Sequence, residues 1–291
     1  MPSPLSIVFC GTPGVAVPML KALAADPAFK ILGVVTQPDR ATGRKQQLTP
    51  SETKAAAEAL GLPVVQPEKL NAALPELQAR FGQPDFLVVV AYGQILSQAV
   101  LDWPRIMPVN VHFSLLPRWR GASPVEHAIL SGDTQTGVAV QRMAKALDAG
   151  EVLATRVVEI HPEDNALTLR STLAEAGAAL LPETLKGPLT ATPQDPAGIT
   201  TCGILSRADG RGDPATETAE HLFRKLRAFT PWPGLTVVMD GADLKVIAAS
   251  LEEKPKSVPL PCRDGTVLHL LTVQPASKKP MPAADWARGR R

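Results

Sequence analysis

Over its first 112 residues the chain repeats one pattern, a short run of β-branched residues followed by an Ala- and Leu-rich stretch of helical character. The β-branched runs fall at residues 6–10, 31–36, 63–65, 86–91 and 107–112. Strand, helix and strand in regular succession make a parallel α/β sheet, because a helix is the connection that brings the next strand back in the same direction. Pro67, Ser97 and Pro124 open helical candidates, proline being tolerated in a first turn that has no use for its missing donor. Residues 136–143 and 151–160 read as two further strands joined through a loop, and residues 165–185 as a long helix that closes this part.

Residues 186–212 carry Pro, Gly, Thr and Asp without periodicity, the composition of a linker. A helix over 215–229 follows, then Pro231-Trp232-Pro233-Gly234 and short strands at 235–239, 244–248 and 266–273, which together suit a small β-barrel. At 291 residues the chain exceeds the usual single-domain size, so two domains are expected, 1–206 and 207–291. The first is an open sheet whose ligands belong at the carboxyl ends of its strands.

Composition narrows the function classes. No apolar run approaches the roughly 20 residues that span a bilayer, and the N-terminal segment has neither a basic stretch nor a hydrophobic signal region, so a cytoplasmic protein away from membranes is expected. Cys10, Cys202 and Cys262 are odd in number and far apart, which fits neither a disulfide framework nor a zinc-ligand spacing. Without a Cys-x-x-Cys or His-x-x-x-His pair, no metal is expected. Net charge is +2, yet residues 207–291 hold fourteen Lys and Arg against ten Asp and Glu, with sixteen against eighteen upstream. A mildly basic C-terminal part is compatible with a polyanionic partner.

The chemistry is concentrated in Asn110-Val-His-Phe-Ser-Leu-Leu-Pro-Arg-Trp-Arg-Gly121, followed by Leu147-Asp148-Ala149-Gly150. As a strand, residues 109–114 aim Asn110, His112 and Ser114 one way and Val111 and Phe113 the other. An amide beside an imidazole suits a reaction through a tetrahedral oxyanion, since both can donate hydrogen bonds where charge develops. Asp148 is then the carboxylate that handles a proton. Gly11-Thr12-Pro13-Gly14 is a strand-to-helix turn and lacks the Gly-x-Gly-x-x-Gly fingerprint of a dinucleotide site.

This order of Asn, His, Ser-Leu-Leu-Pro, Arg-Gly and Leu-Asp-x-Gly resembles the folate-dependent formyltransferases. The resemblance extends to Pro38-Asp39-Arg40…Gly43-Arg44-Lys45, to residues 86–95, to Arg227-Ala-Phe-x-Pro-Trp-Pro-Gly234 and to residues 273–281, and so covers nearly the whole chain. Among these families it is nearest the methionyl-tRNA formyltransferases. It implies an α/β fold with an N-terminal Rossmann-like open sheet of mostly parallel strands and a small OB-like C-terminal β-barrel. The implied donor is 10-formyltetrahydrofolate, the implied acceptor initiator methionyl-tRNA, and the implied state a monomer.

By the same resemblance Asn110 and His112 stabilise the oxyanion, and Asp148 takes the amine proton directly or through water. Ala91, Tyr92, Gly93 and Ile95 meet the pterin ring, and Ser114, Leu115, Leu116 and Pro117 line the rest of the folate site. Arg40, Arg44 and Lys45 enter the acceptor end of the tRNA, while Lys278 and Lys279, with Arg288, Arg290 and Arg291, form a second RNA-facing patch. The chain departs from the family pattern at Phe113, where a small residue is usual, at Gly212-Asp213-Pro214 and at Ser277-Lys-Lys-Pro280. Relatives with the same catalytic domain act on amino sugars, on glycinamide ribonucleotide or on water; the basic loop and the C-terminal part argue for tRNA.

Overall fold

The computed structural model describes residues 3–42, 47–239 and 241–289. Its elements up to the end of the long helix are β1 (Leu5–Gly11), α1 (Val17–Ala25), β2 (Phe29–Val35), β3 (Arg40–Thr42), β4 (Gln47–Thr49), α2 (Glu52–Ala59), β5 (Val64–Val65), α3 (Leu70–Phe81), β6 (Phe86–Val90), α4 (Gln98–Leu101), β7 (Met107–His112), β8 (Arg120–Gly121), α5 (Pro124–Ser131), β9 (Gln135–Arg142), β10 (Val152–Glu159) and α6 (Ala166–Lys186). After it come β11 (Thr201–Cys202), β12 (Arg211–Gly212), α7 (Ala219–Ala228), β13 (Leu235–Met239), β14 (Ala242–Ser250), β15 (Val258–Pro261), β16 (Val267–Pro275), β17 (Met281–Pro282) and α8 (Ala283–Arg288). No helix among the described residues is long and apolar enough to cross a membrane.

Seven strands form the main sheet in the order β10-β9-β7-β6-β1-β2-β5. The five from β7 to β5 are parallel, and β9 runs antiparallel to β7. The expected open, mostly parallel α/β sheet is therefore present, Rossmann-like in its winding. Strand β6 is buried at all five positions, as a central strand covered on both faces must be. Helix α3 buries Leu70, Leu74 and Leu77, one face at helical spacing, against Val8, Cys10, Val35, Leu87 and Val89. This helix begins three residues after Pro67: Lys69 supplies no side-chain cap, and Gln94 Oε1 accepts from Leu70 N at 2.9 Å in its place.

From β1 the chain winds first to β2 and β5, then crosses to β6 and β7 on the other side. The winding reverses between β1 and β6, which opens a crevice at their carboxyl ends, Gly11 and Val90. Thr12 Oγ1 and Gln37 Nε2 both donate to Tyr92 O there, at 3.0 and 3.2 Å, tying the loops together.

The chain packs as two compact units, one of residues 1–121, 136–158 and 170–201, the other of residues 122–135, 159–169 and 202–291. Within the second, Arg227 Nη1 donates to the carbonyls of His161, Pro162 and Asp164, which holds residues 159–169 to α7. Its core gathers Leu222, Leu226, Leu235, Val237, Leu244, Val246, Leu268 and Leu270. The sheet of this unit has the order β12-β13-β14-β16-β15 with β17 beside β16. That path is open, with no pairing among the described residues between β12 and β15, so it gives a C-terminal sheet without the closure that would make the expected small β-barrel evident.

Residues 187–201 are folded rather than a free tether. They hold a 3-10 turn at Pro196–Gly198, a bridge between Val152 and Thr192, and hydrogen bonds from Arg120 N to Thr200 O and from Thr200 N to Pro117 O. Their polar, aperiodic composition is that of a segment bound through side-chain amides and main chain, which no repeating pattern announces.

Candidate active site

Strand β7 carries Asn110 and His112 two residues apart, so both side chains leave the same face. In the register with β9, Asn110 stands opposite Gln141 and His112 opposite Ala139. Ser114 does not share this face: β7 ends at His112, and Ser114, fully buried, donates through Oγ to Arg118 O at 2.6 Å to close the turn that follows.

Asn110 Nδ2 donates one proton to Val89 O at 3.1 Å, and its Oδ1 accepts from Gln141 Nε2 at 3.2 Å. This fixes the amide and leaves its second proton for a ligand. His112 is 7 % exposed. Its Nε2 lies 2.8 Å from Trp119 O. A carbonyl only accepts, so Nε2 carries a proton, and Nδ1 is an acceptor only while the ring holds that single proton. That nitrogen faces Asp148 Oδ1 at 3.7 Å.

Asp148 reaches the site from the loop between β9 and β10. Its Oδ1 accepts from Gln141 Nε2 at 3.0 Å and its Oδ2 from Gly121 N at 2.9 Å. Its backbone is left-handed, with φ of 50°, an unusual conformation for a residue with a side chain. The loop is tight enough that a Cβ at Gly150 would lie 1.7 Å from Arg142 O. The structure thus brings Asn110, His112 and Asp148 together, and it adds Gln141, 1 % exposed, as the amide that bonds both Asn110 and Asp148. Sequence reasoning missed Gln141 because in a strand it reads only as an ordinary polar position.

The residues assigned to folate fall into two groups. Ala91, Tyr92 and Gly93 follow β6, whose Val89 pairs with Asn110, so they sit at the same edge of the sheet. Ala91 and Gly93 have left-handed backbones, φ 46° and 86°. Tyr92 turns its ring into the core at 1 % exposure, where burial raises its phenol, and its carbonyl already accepts two hydrogen bonds. Ile95 is 86 % exposed. Leu115 packs at Gly137 on β9, and Leu116 joins Pro117 through a cis peptide bond.

The basic candidates are more scattered. Arg40, at the start of β3, is exposed and donates to Gln37 Oε1 at 3.4 Å. Arg44 and Lys45 lie outside the described residues, as do Arg290 and Arg291. Lys278 and Lys279 are exposed on the turn after β16, where Gln274 Nε2 donates to Lys278 O at 2.9 Å. Among the described residues no group of three His, Cys, Asp or Glu is placed to hold a metal ion. The Cys10 thiol is fully buried, which raises it far above its usual range and leaves it a core residue.

Polar side chains gather at the carboxyl edge of an open, mostly parallel sheet, the edge at which α/β enzymes of this architecture place their ligands. The chain belongs to the formyl transferase family, whose model matches residues 5–185, and the model of the formyl transferase C-terminal domain matches residues 205–291. It is 44 % identical to the methionyl-tRNA formyltransferase of Roseiflexus sp. (strain RS-1), with 99 % of this chain and 93 % of that protein covered. It is 43 % identical to the methionyl-tRNA formyltransferase of Halorhodospira halophila, with 98 % and 96 % covered. Among solved structures, the N-formyltransferase of Helicobacter canadensis in complex with folinic acid and dTDP-3-aminofucose shares the fold, with TM-score 0.67, 15 % identity, and 91 % of this chain and 98 % of that chain covered.

Proposed function

We propose that this chain transfers the formyl group of 10-formyltetrahydrofolate to the amino group of methionine on initiator methionyl-tRNA, giving formylmethionyl-tRNA for translation initiation. The observation that carries this reading is the identity above 40 % along nearly the whole chain to proteins named for that activity. Folate as donor is supported by the folinic acid bound in a structure of the same fold. The small-amine alternative is not favoured, since the full-length matches include the C-terminal domain model.

Asn110, His112 and Asp148 are the residues we assign to the chemistry. The donor supplies a carbonyl carbon bonded to a folate nitrogen. As the amine's lone pair adds to that carbon, charge gathers on the carbonyl oxygen, and the free amide proton of Asn110 is available to it. The amine's proton passes to Asp148 Oδ1, directly or through water, with His112 Nδ1 3.7 Å away. His112, with a proton at Nδ1, is the second donor we assign to the oxyanion. Collapse breaks the bond from carbon to the folate nitrogen, which takes up the proton.

The edge residues Ala91, Tyr92, Gly93 and Ile95, with Ser114, Leu115, Leu116 and Pro117, are assigned to the folate, Tyr92 through its main chain. Arg40, Arg44, Lys45, Lys278 and Lys279 are assigned to the tRNA. We place the division of labour at residues 206 and 207, with an OB-like, RNA-binding C-terminal part, and read the protein as a cytoplasmic monomer.

The test is formyl transfer from labelled 10-formyltetrahydrofolate to methionyl initiator tRNA, with methionyl elongator tRNA, free methionine and glycinamide ribonucleotide alongside. Label on the initiator tRNA alone is expected. Label on a small amine alone overturns the tRNA assignment.

A further inference from the structure

We propose that Gln194 and Thr200 are positioning residues, and that the segment carrying them is a strap that holds the catalytic loops in working geometry. The inference rests on the assignment of His112 and Asp148 made above and extends it to a stretch whose composition reads as a tether.

Both donor protons of Gln194 are used on the Asp148 loop: Nε2 donates to Asp148 O at 2.9 Å and to Gly150 O at 2.6 Å. Its Oε1 accepts from Arg120 Nε at 2.9 Å. A guanidinium only donates and the two carbonyls only accept, so the amide has one workable orientation. Six residues on, Thr200 Oγ1 accepts from Trp119 N at 2.8 Å. Trp119 O is the acceptor that fixes the proton on His112 Nε2. One end of the strap therefore holds the main chain of Asp148, and the other holds the residue that orients His112.

The two main chains seized in this way are both strained. Trp119 has φ of 59° and Asp148 φ of 50°. Left-handed residues with side chains persist only where their surroundings hold them. Gln141 and Gly121 grip the Asp148 carboxylate, but neither grips its backbone. Gln194 does, and without it the loop is free to relax and carry the carboxylate away from His112 Nδ1.

The experiment compares Gln194→Ala, Thr200→Val and Thr200→Ser with the parent, reading steady-state formylation of methionyl initiator tRNA and thermal unfolding together. Misplacement of a reacting group by about 1 Å costs up to about a hundredfold. Gln194→Ala is expected to lower kcat by about ten- to a hundredfold, with KM for folate and for tRNA within about threefold of the parent. Thr200→Val should lower kcat too, and Thr200→Ser, which keeps the accepting oxygen, should restore it. In an Asp148→Ala background the Gln194→Ala change should cost less than about threefold more, because residues that act through one another are not additive. Parental kcat in folded Gln194→Ala, a loss confined to KM, or full additivity with Asp148→Ala overturns the proposal. Near-parental activity of Asp148→Ala on its own instead overturns the site assignment beneath it. Should Gln194→Ala not fold, the Thr200 pair decides: equal activity of the Val and Ser variants overturns the strap.

Discussion

A short motif located Asn110, His112 and Asp148 because their residue types are chemically loaded and their spacing matches one family. What the motif could not show is which hydrogen bonds aim them. Asn110 owes its orientation to Val89 O and Gln141, and His112 owes the set of its ring to Trp119 O. Gln141 and a main-chain carbonyl carry no signature in a sequence. Removing an oxyanion donor typically costs on the order of a hundred- to a thousandfold in rate. Asn110→Ala is therefore expected to lower kcat by that much with little change in either KM, in steady-state formylation. Gly150→Ala tests the loop by another route, since its new methyl meets Arg142 O. Overpacking costs about 1 to 3 kcal/mol, and both the melting temperature and kcat should fall.

Among the elements, strands were legible wherever β-branched residues ran together: β7 has the expected limits and β6 ends one residue early. Boundaries slipped where a remote side chain supplies the cap, as Gln94 does for α3. Membership of residues 122–135 and 159–169 in the second unit was illegible, because the helix that claims them lies far along the chain. Asp39 offers a test of one local element. Hydrogen bonds from Lys54 and Gln66 hold its carboxyl below the usual carboxylate range. A carboxyl depressed in the folded state stabilises it above the unfolded value and loses that contribution as pH falls through the folded value. The parent's resistance to urea should therefore fall below about pH 4, and Asp39→Asn should flatten that part of the curve.

For the whole molecule, the two compact units each have a core of their own, and the basic candidates are divided between them. Each phosphate contact removed lowers the salt dependence of binding by about one counterion. Lys278→Ala should weaken initiator-tRNA binding and reduce the slope of log Kd against log salt by about one, read by filter binding at several salt concentrations. An unchanged slope removes Lys278 from the interface. The Asp148 loop also bears on how such a chain can diverge. Gln141 is fixed in register opposite Asn110 and also bonded to Asp148 seven positions later. One amide therefore measures out the chain between them. A single residue added or deleted within that interval leaves Gln141 able to satisfy the strand or the carboxylate, but not both. The two bonds therefore constrain the length of this stretch as well as its residues.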